Sequence, residues 1–402
     1  MKAAGIICEY NPMHFGHSRH IGMTRSLIGG DCAVVCVMSG NFVQRGDFAV
    51  FNKHARAKAA ILGGADLVVE LPAPYSLLSA EGFAAAGVHI LDSLGVCGYL
   101  SFGSESGDIG ALSEAAAAIA STGAGGHLKD WLGKGLSYAA AQQKAADAVL
   151  GEKSDILKSP NNLLGIEYIK AIAASGSAMR PMTVKREGGA HGGSSGFSAS
   201  ALRGMLSRGE APWEYIPAEA AAVYMKEIAT GSGPVFMEAA ELAILSRLRA
   251  AGDISCIQGA SEGLDRRLVR YAASEPTVDS VLSSVKTRRY TMSRIRRMLL
   301  CACLGISAED TKKPPPYIRV LAMNNTGMAL LKTARSNARL PIITKPAHAR
   351  SLPERAAGMF RTEAAATDFY MLACPDENKR SGGWEWRRTP AVLSDAPGSG
   401  LI

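Results

Sequence analysis

The sequence predicts an α/β fold in which a doubly wound, Rossmann-like parallel sheet precedes a mostly helical, basic half. Two observations lead to this prediction. In the first half, short apolar runs typical of buried parallel strands alternate with alanine-rich segments typical of helices. After about residue 206, helical segments largely replace the strand-like runs.

Strands in the first half are predicted from apolar runs that each precede glycine, serine or proline. These runs cover residues 3–8, 33–38, 66–70 and 99–102. Alanine-rich segments at residues 53–62 and 80–91 predict helices between the strands, and Gly63 and Gly95 mark their ends. Residues 111–149 predict further helix with glycine-rich breaks and no obvious strand.

A further strand is predicted at residues 181–185, before the pattern changes. The helices predicted in the second half cover residues 238–251, 264–273 and 293–303. Three consecutive prolines then precede residues 317–323, which predict a small sheet element or a segment packed at the domain junction.

We therefore expect two domains, at residues 1–205 and 206–373. Proline, glycine and charged residues dominate residues 374–402, which predicts a flexible tail. With 402 residues, 47% of them hydrophobic, the chain is long enough for two full cores.

The composition favours an enzyme that works in the cytoplasm, without membrane contact. The N-terminus has no basic segment followed by an apolar one, and no uninterrupted apolar stretch reaches about 18 residues. The eight cysteines form no CxxC pair and accompany no matching histidine cluster, so we expect reduced, mostly buried thiols and no metal ligands among them.

The most informative segment is residues 5–21, where a buried strand leads into a turn and then a helix. Its core pairs His14 and His17 around Gly16. In open α/β sheets, ligands bind beyond the carboxyl ends of strands, where N–H groups at a helix N-terminus favour phosphate. Imidazole donors stabilise charge that develops on phosphorus, and a glycine allows close approach to the backbone. We therefore predict adenylyl transfer, with both histidines as catalytic residues.

Other polar segments follow predicted strands or open predicted helices. Gly103 ends a strand, so we expect it to let adenosine approach in the same crevice. Asn161 and Asn162 lie in the first turn of a helix, where their amides cap the helix by default or bond to ribose and base. Residues 38–56 form a loop with more hydrogen-bonding side chains than a connection needs.

Residues 185–203 are the second strong signal, since a basic pair and a glycine-rich loop precede a serine-rich helix start. Ser198 and Ser200 are suited to cap the helix and to donate to phosphate. Arg203 lies three residues after Ser200 on the same helical face. We predict that this arginine is a catalytic residue that clamps the β- or γ-phosphate as pyrophosphate leaves.

The net charge is +8, and residues 286–297, KTRRYTMSRIRR, contain no acidic residue. This basic segment is either a solvated helix face or a surface that follows RNA phosphates, with Tyr290 as a stacking group. We favour RNA contact. The cations that we expect to bind tRNA are Lys286, Arg288, Arg289, Arg294, Arg296 and Arg297.

The motifs along the chain resemble those of the bacterial tRNA(Met) cytidine acetate ligase family, in the same order and over residues 1–373. They are EYNPMHFGHSRHI, MSGNFVQRGDFAVFNK, DLVVELP, SFGSESGD, SPNNLLGIEYIKA, FSASALR, RRYTMSRIRRMLL and AAATDFY. The histidine motif also resembles that of nucleotidylyltransferases and class I aminoacyl-tRNA synthetases. The resemblance implies that the chain activates acetate with ATP and acetylates the wobble cytidine of elongator tRNA(Met).

The resemblance also implies an ATP site that agrees with the prediction from the residues. The site comprises Ile7, Cys8, Glu9, Tyr10, Asn11, Pro12, Met13, His14, Phe15, Gly16, His17, Ser18, Arg19, His20, Gly103, Asn161, Arg186 and Glu187. One departure concerns the loop after the basic pair, where the family usually carries an aromatic residue followed by His-Asp. This chain has Ala190, His191 and Gly192 there, so the resemblance does not assign the residues of the acceptor pocket.

The expected mechanism has two steps, formation of acetyl-adenylate and transfer of the acetyl group to cytidine. We expect Mg²⁺ beside ATP, with Lys53 or Arg186 helping to neutralise the polyphosphate. A small-molecule nucleotidylyltransferase is the alternative, although it does not need a basic helical half. A nucleotide-responsive RNA-binding protein without catalysis is the third hypothesis.

Overall fold

The fold is seen in a computed structural model that describes residues 2–124, 151–186 and 198–393, with seven single residues between 130 and 147. The strands are β1 (Ala3–Cys8), β2 (Ala33–Ser39), β3 (Phe42–Val43), β4 (Asp47–Phe48), β5 (Leu67–Leu71), β6 (Tyr99–Ser104), β7 (Arg180–Lys185), β8 (Ile318–Asn324), β9 (Ile342–Ile343) and β10 (Ala391–Leu393). Eight of them form one sheet in the order β10-β8-β5-β2-β1-β6-β7, with β9 beside β8, while β3 and β4 pair as a separate hairpin.

Helices surround this sheet and build the second half of the chain. They are α1 (Phe15–Ile28), α2 (Lys53–Leu62), α3 (Ala73–Ser76), α4 (Ala80–Leu94), α5 (Ile109–Ala124), α6 (Pro160–Ser175), α7 (Ala199–Ser207), α8 (Ala218–Ala229), α9 (Glu241–Ala250), α10 (Leu264–Ser274), α11 (Val278–Val285), α12 (Met292–Leu304), α13 (Ala308–Lys312), α14 (Asn325–Asn337), α15 (Glu354–Met371) and α16 (Trp384–Arg387). Short 3₁₀ helices cover Gly151–Lys158, Trp213–Tyr215, Met237–Ala240, Pro346–Ser351 and Glu377–Lys379.

The sheet is covered on both faces, as the continuous apolar strands predict. Strands β7, β6, β1, β2 and β5 are parallel to their neighbours in this series. Side chains alternate between two cores, so Ile7 and Val35 pack with α4 and α6 while Ile6 and Val34 pack with α1, α2 and α8. The predicted doubly wound sheet is confirmed.

The strand order reverses at β1. The chain moves outward from β1 through β2 to β5, and then returns to add β6 on the other side of β1. A crevice opens beyond the carboxyl ends of adjacent strands at such a reversal, which is where open α/β sheets bind ligands. The segment after β1 carries His14 and His17, and β6 carries Gly103, so the topology brings these motifs to one crevice.

Two expectations about the second half are wrong. The run predicted at residues 317–323 as a small sheet element is β8, which pairs antiparallel with β5 inside the central sheet. The predicted tail is folded as far as residue 393, because α16 packs near the sheet and β10 pairs parallel with β8. Glu385 of α16 is fully buried. An apolar pattern alone does not indicate which distant edge a strand will join.

The helical half has a core of its own, formed mainly by α9, α10, α11 and α12 together with part of α15. The described part of residues 111–149 begins with α5, as predicted. Six of the eight cysteines are buried and all are free thiols, as expected. Among the residues that the structure describes, no helix is long and apolar enough to cross a bilayer.

Candidate active site

His14 lies at the junction between the turn after β1 and the first residue of α1. It is the N-cap residue, with an extended backbone, and its Nδ1 accepts a hydrogen bond of 3.0 Å from the N–H of Gly16. Because a lone pair on Nδ1 accepts this bond, the proton of the neutral ring lies on Nε2. His14 therefore presents an N–H donor at a helix N-terminus.

His14 and His17 lie together, as predicted, with their ring centroids 3.8 Å apart. Burial and, to a smaller extent, the charge of Arg186 lower the pKa of His14 to about 4. Burial and the neighbouring His14 hold the pKa of His17 well below its usual range. Both rings are neutral near pH 7, so they act as hydrogen-bond donors rather than as acids.

A third histidine is fixed by a chain of hydroxyl groups that the sequence analysis did not single out. Thr24 donates its hydroxyl proton to the carbonyl of His20, so the contact of 2.7 Å between Thr24 and Ser101 uses the proton of Ser101. Ser101 must then accept from Nε2 of His20, which lies 3.0 Å away. Ser101 opens the motif that contains Gly103, which is the signal that could have identified it.

The turn from Glu9 to Met13 is held by groups from other segments. The Glu9 carboxylate accepts from the N–H of Gln44 at 2.7 Å, and Asn11 Oδ1 accepts from the N–H of Val50 at 2.8 Å. The hydroxyl of Tyr224, in α8, accepts from the N–H of Met13 at 3.0 Å. Tyr10 has a positive φ of 43°, a conformation that needs such support.

Arg56 also holds this turn, because its guanidinium donates to the Glu9 carbonyl at 2.6 Å. It is fully buried and donates as well to the carbonyls of Phe51, Ser39 and Gly40. Arg56 lies at the end of segment 38–56. The high number of hydrogen-bonding side chains in that segment was the signal that could have identified it. Tyr224 stands alone in a helical pattern, and the sequence carried no signal for its role.

Gly103 and Arg186 form the other side of the crevice. A Cβ on Gly103 would lie 3.2 Å from Cγ of Arg186, which follows β7. Arg186 is exposed, and its N–H donates to the Ser104 carbonyl at 2.8 Å. Its charge lowers the pKa of His14, His17 and His20. A cation therefore lies within electrostatic range of the histidines, where a polyphosphate would need one.

Asn161 and Asn162 do not cap their helix, contrary to the default expectation. Asn161 donates to a carboxylate oxygen of Glu105 at 2.6 Å, and Asn162 Oδ1 accepts from the N–H groups of Glu105 and Ser106. The N-cap residue, Ser159, makes no side-chain cap. The asparagines therefore hold the loop after β6, which ties two separate sequence motifs into one structure.

Arg203 reaches the site, but its guanidinium contacts protein groups. It donates to the Asn11 carbonyl at 2.8 Å and to Ser200 Oγ at 2.9 Å. Ser198 caps α7 through the N–H of Ala201, as predicted. Burial lowers the pKa of Arg203, which remains a cation beside the turn. The glycine-rich loop before α7, including Glu187 and residues 190–192, lies outside the described residues.

Lys53 cannot serve the polyphosphate, contrary to expectation, because it is fully buried among carboxylates. Its Nζ lies 2.6 Å from Glu70, 2.9 Å from Glu363 and 2.7 Å from Glu385. Burial alone would lower the pKa of Lys53, but these carboxylates outweigh it and raise the pKa. Arg319 adds a second buried cation 2.8 Å from Glu385.

The basic segment divides into exposed and engaged side chains. Lys286, Arg288 and Arg289 are exposed, although Lys286 donates to the carbonyls of Thr287 and Tyr290. Both Arg289 and Arg294 form ion pairs with Glu262, at 3.5 and 3.0 Å. Tyr290 is buried and donates its hydroxyl proton to the Glu262 carbonyl. Its ring is therefore not free to stack on a base, contrary to the prediction. Arg296 and Arg297 contact the β3–β4 hairpin.

The chain resembles known proteins over nearly its whole length. The HIGH Nucleotidyl Transferase family model matches residues 1–383. A tRNA(Met) cytidine acetate ligase of Caldanaerobacter subterraneus is 38% identical over 386 residues, which are 93% of this chain and 96% of the relative. Another, of Caldicellulosiruptor saccharolyticus, is 41% identical over 356 residues, 86% of this chain and 87% of the relative.

Solved structures of Thermotoga maritima TmcAL have the same fold. Thermotoga maritima TmcAL bound with alpha-thio ATP matches with a TM-score of 0.89 and 33% identity, covering 98% of this chain and all of that one. Its apo form matches with a TM-score of 0.90 and 32% identity, with the same coverage.

Proposed function

The chain belongs to the tRNA(Met) cytidine acetate ligase family, among the HIGH nucleotidyl transferases, and from this membership we propose that it acetylates the wobble cytidine of elongator tRNA(Met) with acetate and ATP. One observation supports the proposal most directly. Neutral His14 and His17 lie against each other at a helix N-terminus, in the crevice where the strand order reverses. Such a site suits charge that develops on an α-phosphate.

In the first step, an acetate oxygen attacks the α-phosphorus of ATP and the bond to the β-phosphate oxygen breaks. Pyrophosphate leaves and acetyl-adenylate remains. His14 and His17 donate hydrogen bonds to the α-phosphate oxygens without giving up a proton, since neither ring carries the extra proton of an imidazolium. Arg186 and Arg203 supply positive charge near the leaving pyrophosphate.

In the second step, the exocyclic amine of cytidine attacks the acetyl carbonyl. The bond from the acetyl carbon to the AMP oxygen breaks, AMP leaves, and the amine loses one proton to yield N4-acetylcytidine. A wobble base suits this reaction because it lies in a single-stranded loop, from which it can enter a pocket. No covalent bond to the enzyme is required.

Magnesium would enter this site on the phosphates of ATP. In the described ranges, no group of three His, Cys, Asp or Glu side chains is arranged to hold a metal ion. Mg²⁺ commonly keeps water ligands and binds through substrate phosphates, so this donor set fits no metal cage of the protein's own. The ion would lessen the repulsion between ATP and the incoming acetate.

The tRNA would be gripped through its phosphates by the exposed part of the basic segment. Lys286, Arg288 and Arg289 form an adjacent set of exposed cations, which suits a surface that follows an RNA backbone. A tRNA substrate also implies that the protein works in the cytoplasm.

The test is acetyl transfer from labelled acetate to unmodified elongator tRNA(Met) in the presence of ATP, with the nucleosides analysed by mass spectrometry. We expect N4-acetylcytidine that depends on ATP and that disappears with His17→Ala. His348→Ala, which changes an exposed histidine in the short helix Pro346–Ser351, is the matched control and should leave the product unchanged.

The same assay contains the result that would contradict the proposal. If the unaltered protein binds ATP but acetylates no nucleoside, the site uses a different acceptor. Pyrophosphate release that depends on a phosphorylated metabolite, and not on acetate or tRNA, would identify a small-molecule nucleotidylyltransferase instead.

A further inference from the structure

The β3–β4 hairpin lies between the nucleotide turn and helix α12. On the side of the turn, the N–H of Gln44 donates to the Glu9 carboxylate at 2.7 Å. Glu9 opens the turn whose last residue, Met13, precedes His14. The hairpin tip therefore helps to set where the histidine pair lies.

The other side of the tip is in close contact with α12. Nη1 of Arg297 donates to the carbonyl of Gln44 at 3.2 Å, and Nη1 of Arg296 lies 3.4 Å from Oδ2 of Asp47. Gly46 has a positive φ of 76°, and a Cβ built on it would lie 2.5 Å from the backbone N of Arg297. The backbone of α12 thus rests directly on the tip of the hairpin.

Arg296 and Arg297 differ from the exposed cations of the basic segment in what surrounds them. Arg297 is half-buried, and burial lowers its pKa. Within the described part of the chain, Nε of Arg296 is buried without a hydrogen-bond partner. Lys286 and Arg288 are exposed instead. Arg288 is open to an RNA phosphate, whereas Lys286 donates to the carbonyls of Thr287 and Tyr290 and Arg297 donates to the carbonyl of Gln44.

We propose that Arg297 is a positioning residue of the ATP site rather than an RNA contact. Arg297 donates to the carbonyl of Gln44 at the hairpin tip, and the N–H of Gln44 donates to the carboxylate of Glu9. Through Gln44, the helix of the basic half helps to position the turn that presents His14. The inference rests on the proposed function, because one of its tests measures the proposed formation of acetyl-adenylate.

The experiment compares Arg297→Ala, Arg297→Lys and Gly46→Ala, with Arg266→Ala as the matched control because Arg266 is exposed on α10. ATP affinity is measured by calorimetry, acetate-dependent exchange of pyrophosphate into ATP is measured without tRNA, and tRNA affinity is measured without ATP. Thermal unfolding checks that each variant is folded at the assay temperature.

We expect Arg297→Ala to weaken ATP binding about tenfold and to lower kcat of the exchange, as the loss of one positioning hydrogen bond implies. Arg297→Lys keeps a cationic donor at this position and should recover part of the affinity. Gly46→Ala removes no charge, so it should weaken ATP binding while tRNA affinity stays within about twofold of the parent. Arg266→Ala should match the parent in ATP binding.

Normal ATP affinity in Arg297→Ala would overturn the proposal, whether or not tRNA binding falls. If tRNA binding falls alone, Arg297 contacts RNA, as the sequence analysis predicted. If the unaltered protein binds ATP but does not acetylate tRNA, the proposed function fails while the ATP affinities of the variants still decide the role of Arg297.

Discussion

Lys53 Nζ lies 2.9 Å from Oε1 of Glu363, a residue 310 positions further along the chain, and both side chains are fully buried. Glu70, Glu385 and Arg319 complete this buried cluster. Its members come from α2, β5, β8, α15 and α16. The cluster therefore joins the first strands of the sheet to the last helices of the chain.

Charge balance in the cluster requires a proton. Two cations face three carboxylates, and burial together with the nearby Glu363 raises the pKa of Glu70 well above its usual range. Burial would raise the pKa of Glu385 as well, but Lys53 and Arg319 lower it to about 2. A proton on Glu70 offsets the excess of negative charge in the cluster.

The first prediction is that Lys53→Met destabilises the protein. The substitution leaves buried carboxylates without their shared cation, and breaking a buried ion pair in this way costs about 3–5 kcal/mol. The free energy of unfolding is measured by urea denaturation. Lys332→Met removes an exposed lysine of α14 and should change this free energy little; equal effects of the two substitutions would contradict a structural role for the cluster.

The second prediction concerns the protonation of the histidines. Burial lowers the pKa of His14 and of His20 to about 4, so their imidazole NMR signals should titrate near pH 4. His14→Asn and His20→Asn assign the signals by removing them. A midpoint near 6.5 for either residue would mean that the ring is solvated and is not held as a neutral donor.

The same shifts have a consequence for stability. The folded pKa of each histidine lies below the unfolded value of about 6.5, so the unfolded chain binds more protons at mildly acidic pH. The contribution of the neutral histidines to the free energy of unfolding is fully present above about pH 6.5 and is lost as the pH falls towards 4. Urea unfolding should show a smaller loss between pH 6.5 and 4.5 in His14→Asn than in the parent protein.

The third prediction is that Ser101→Ala slows adenylate formation. Ser101 is fully buried, and its loss leaves Nε2 of His20 without an acceptor, which costs about 1–3 kcal/mol. We expect acetate-dependent pyrophosphate exchange to fall about tenfold or more. Ser113→Ala, which removes a hydroxyl that bonds only within α5, is the control. Full exchange activity in Ser101→Ala would exclude His20 from the positioning of the site.

The fourth prediction is that the exposed cations of the basic segment determine the salt dependence of tRNA binding. Arg288→Ala should weaken binding and reduce the slope of log affinity against log salt by about 1, as for one phosphate contact. Filter binding over a range of potassium chloride concentrations measures this slope. Lys332→Ala removes one positive charge on α14 and should preserve the slope; the same slope in both variants would place the RNA interface elsewhere.

Much of the nucleotide-binding half was predictable because its signals are local. The strand at residues 3–8 is indicated by its own apolar run, and the caps at His14 and Ser198 depend on contacts within a few residues. Strand β8 was predicted as a strand but not as part of the central sheet. Pairing between residues as far apart as Val68 and Ala322 has no local signature.

The location of the nucleotide site could be predicted from the sequence, because hydrophobic period, turn residues and a helix start are encoded over short spans. Which polar groups are free to contact a nucleotide is visible only in the folded structure. Lys53 and Arg297 look like surface cations in the sequence, yet one is enclosed by carboxylates and the other supports a hairpin. The cost of burying a charge is offset only by partners that the fold brings from distant segments, and a chain read in order does not reveal those partners.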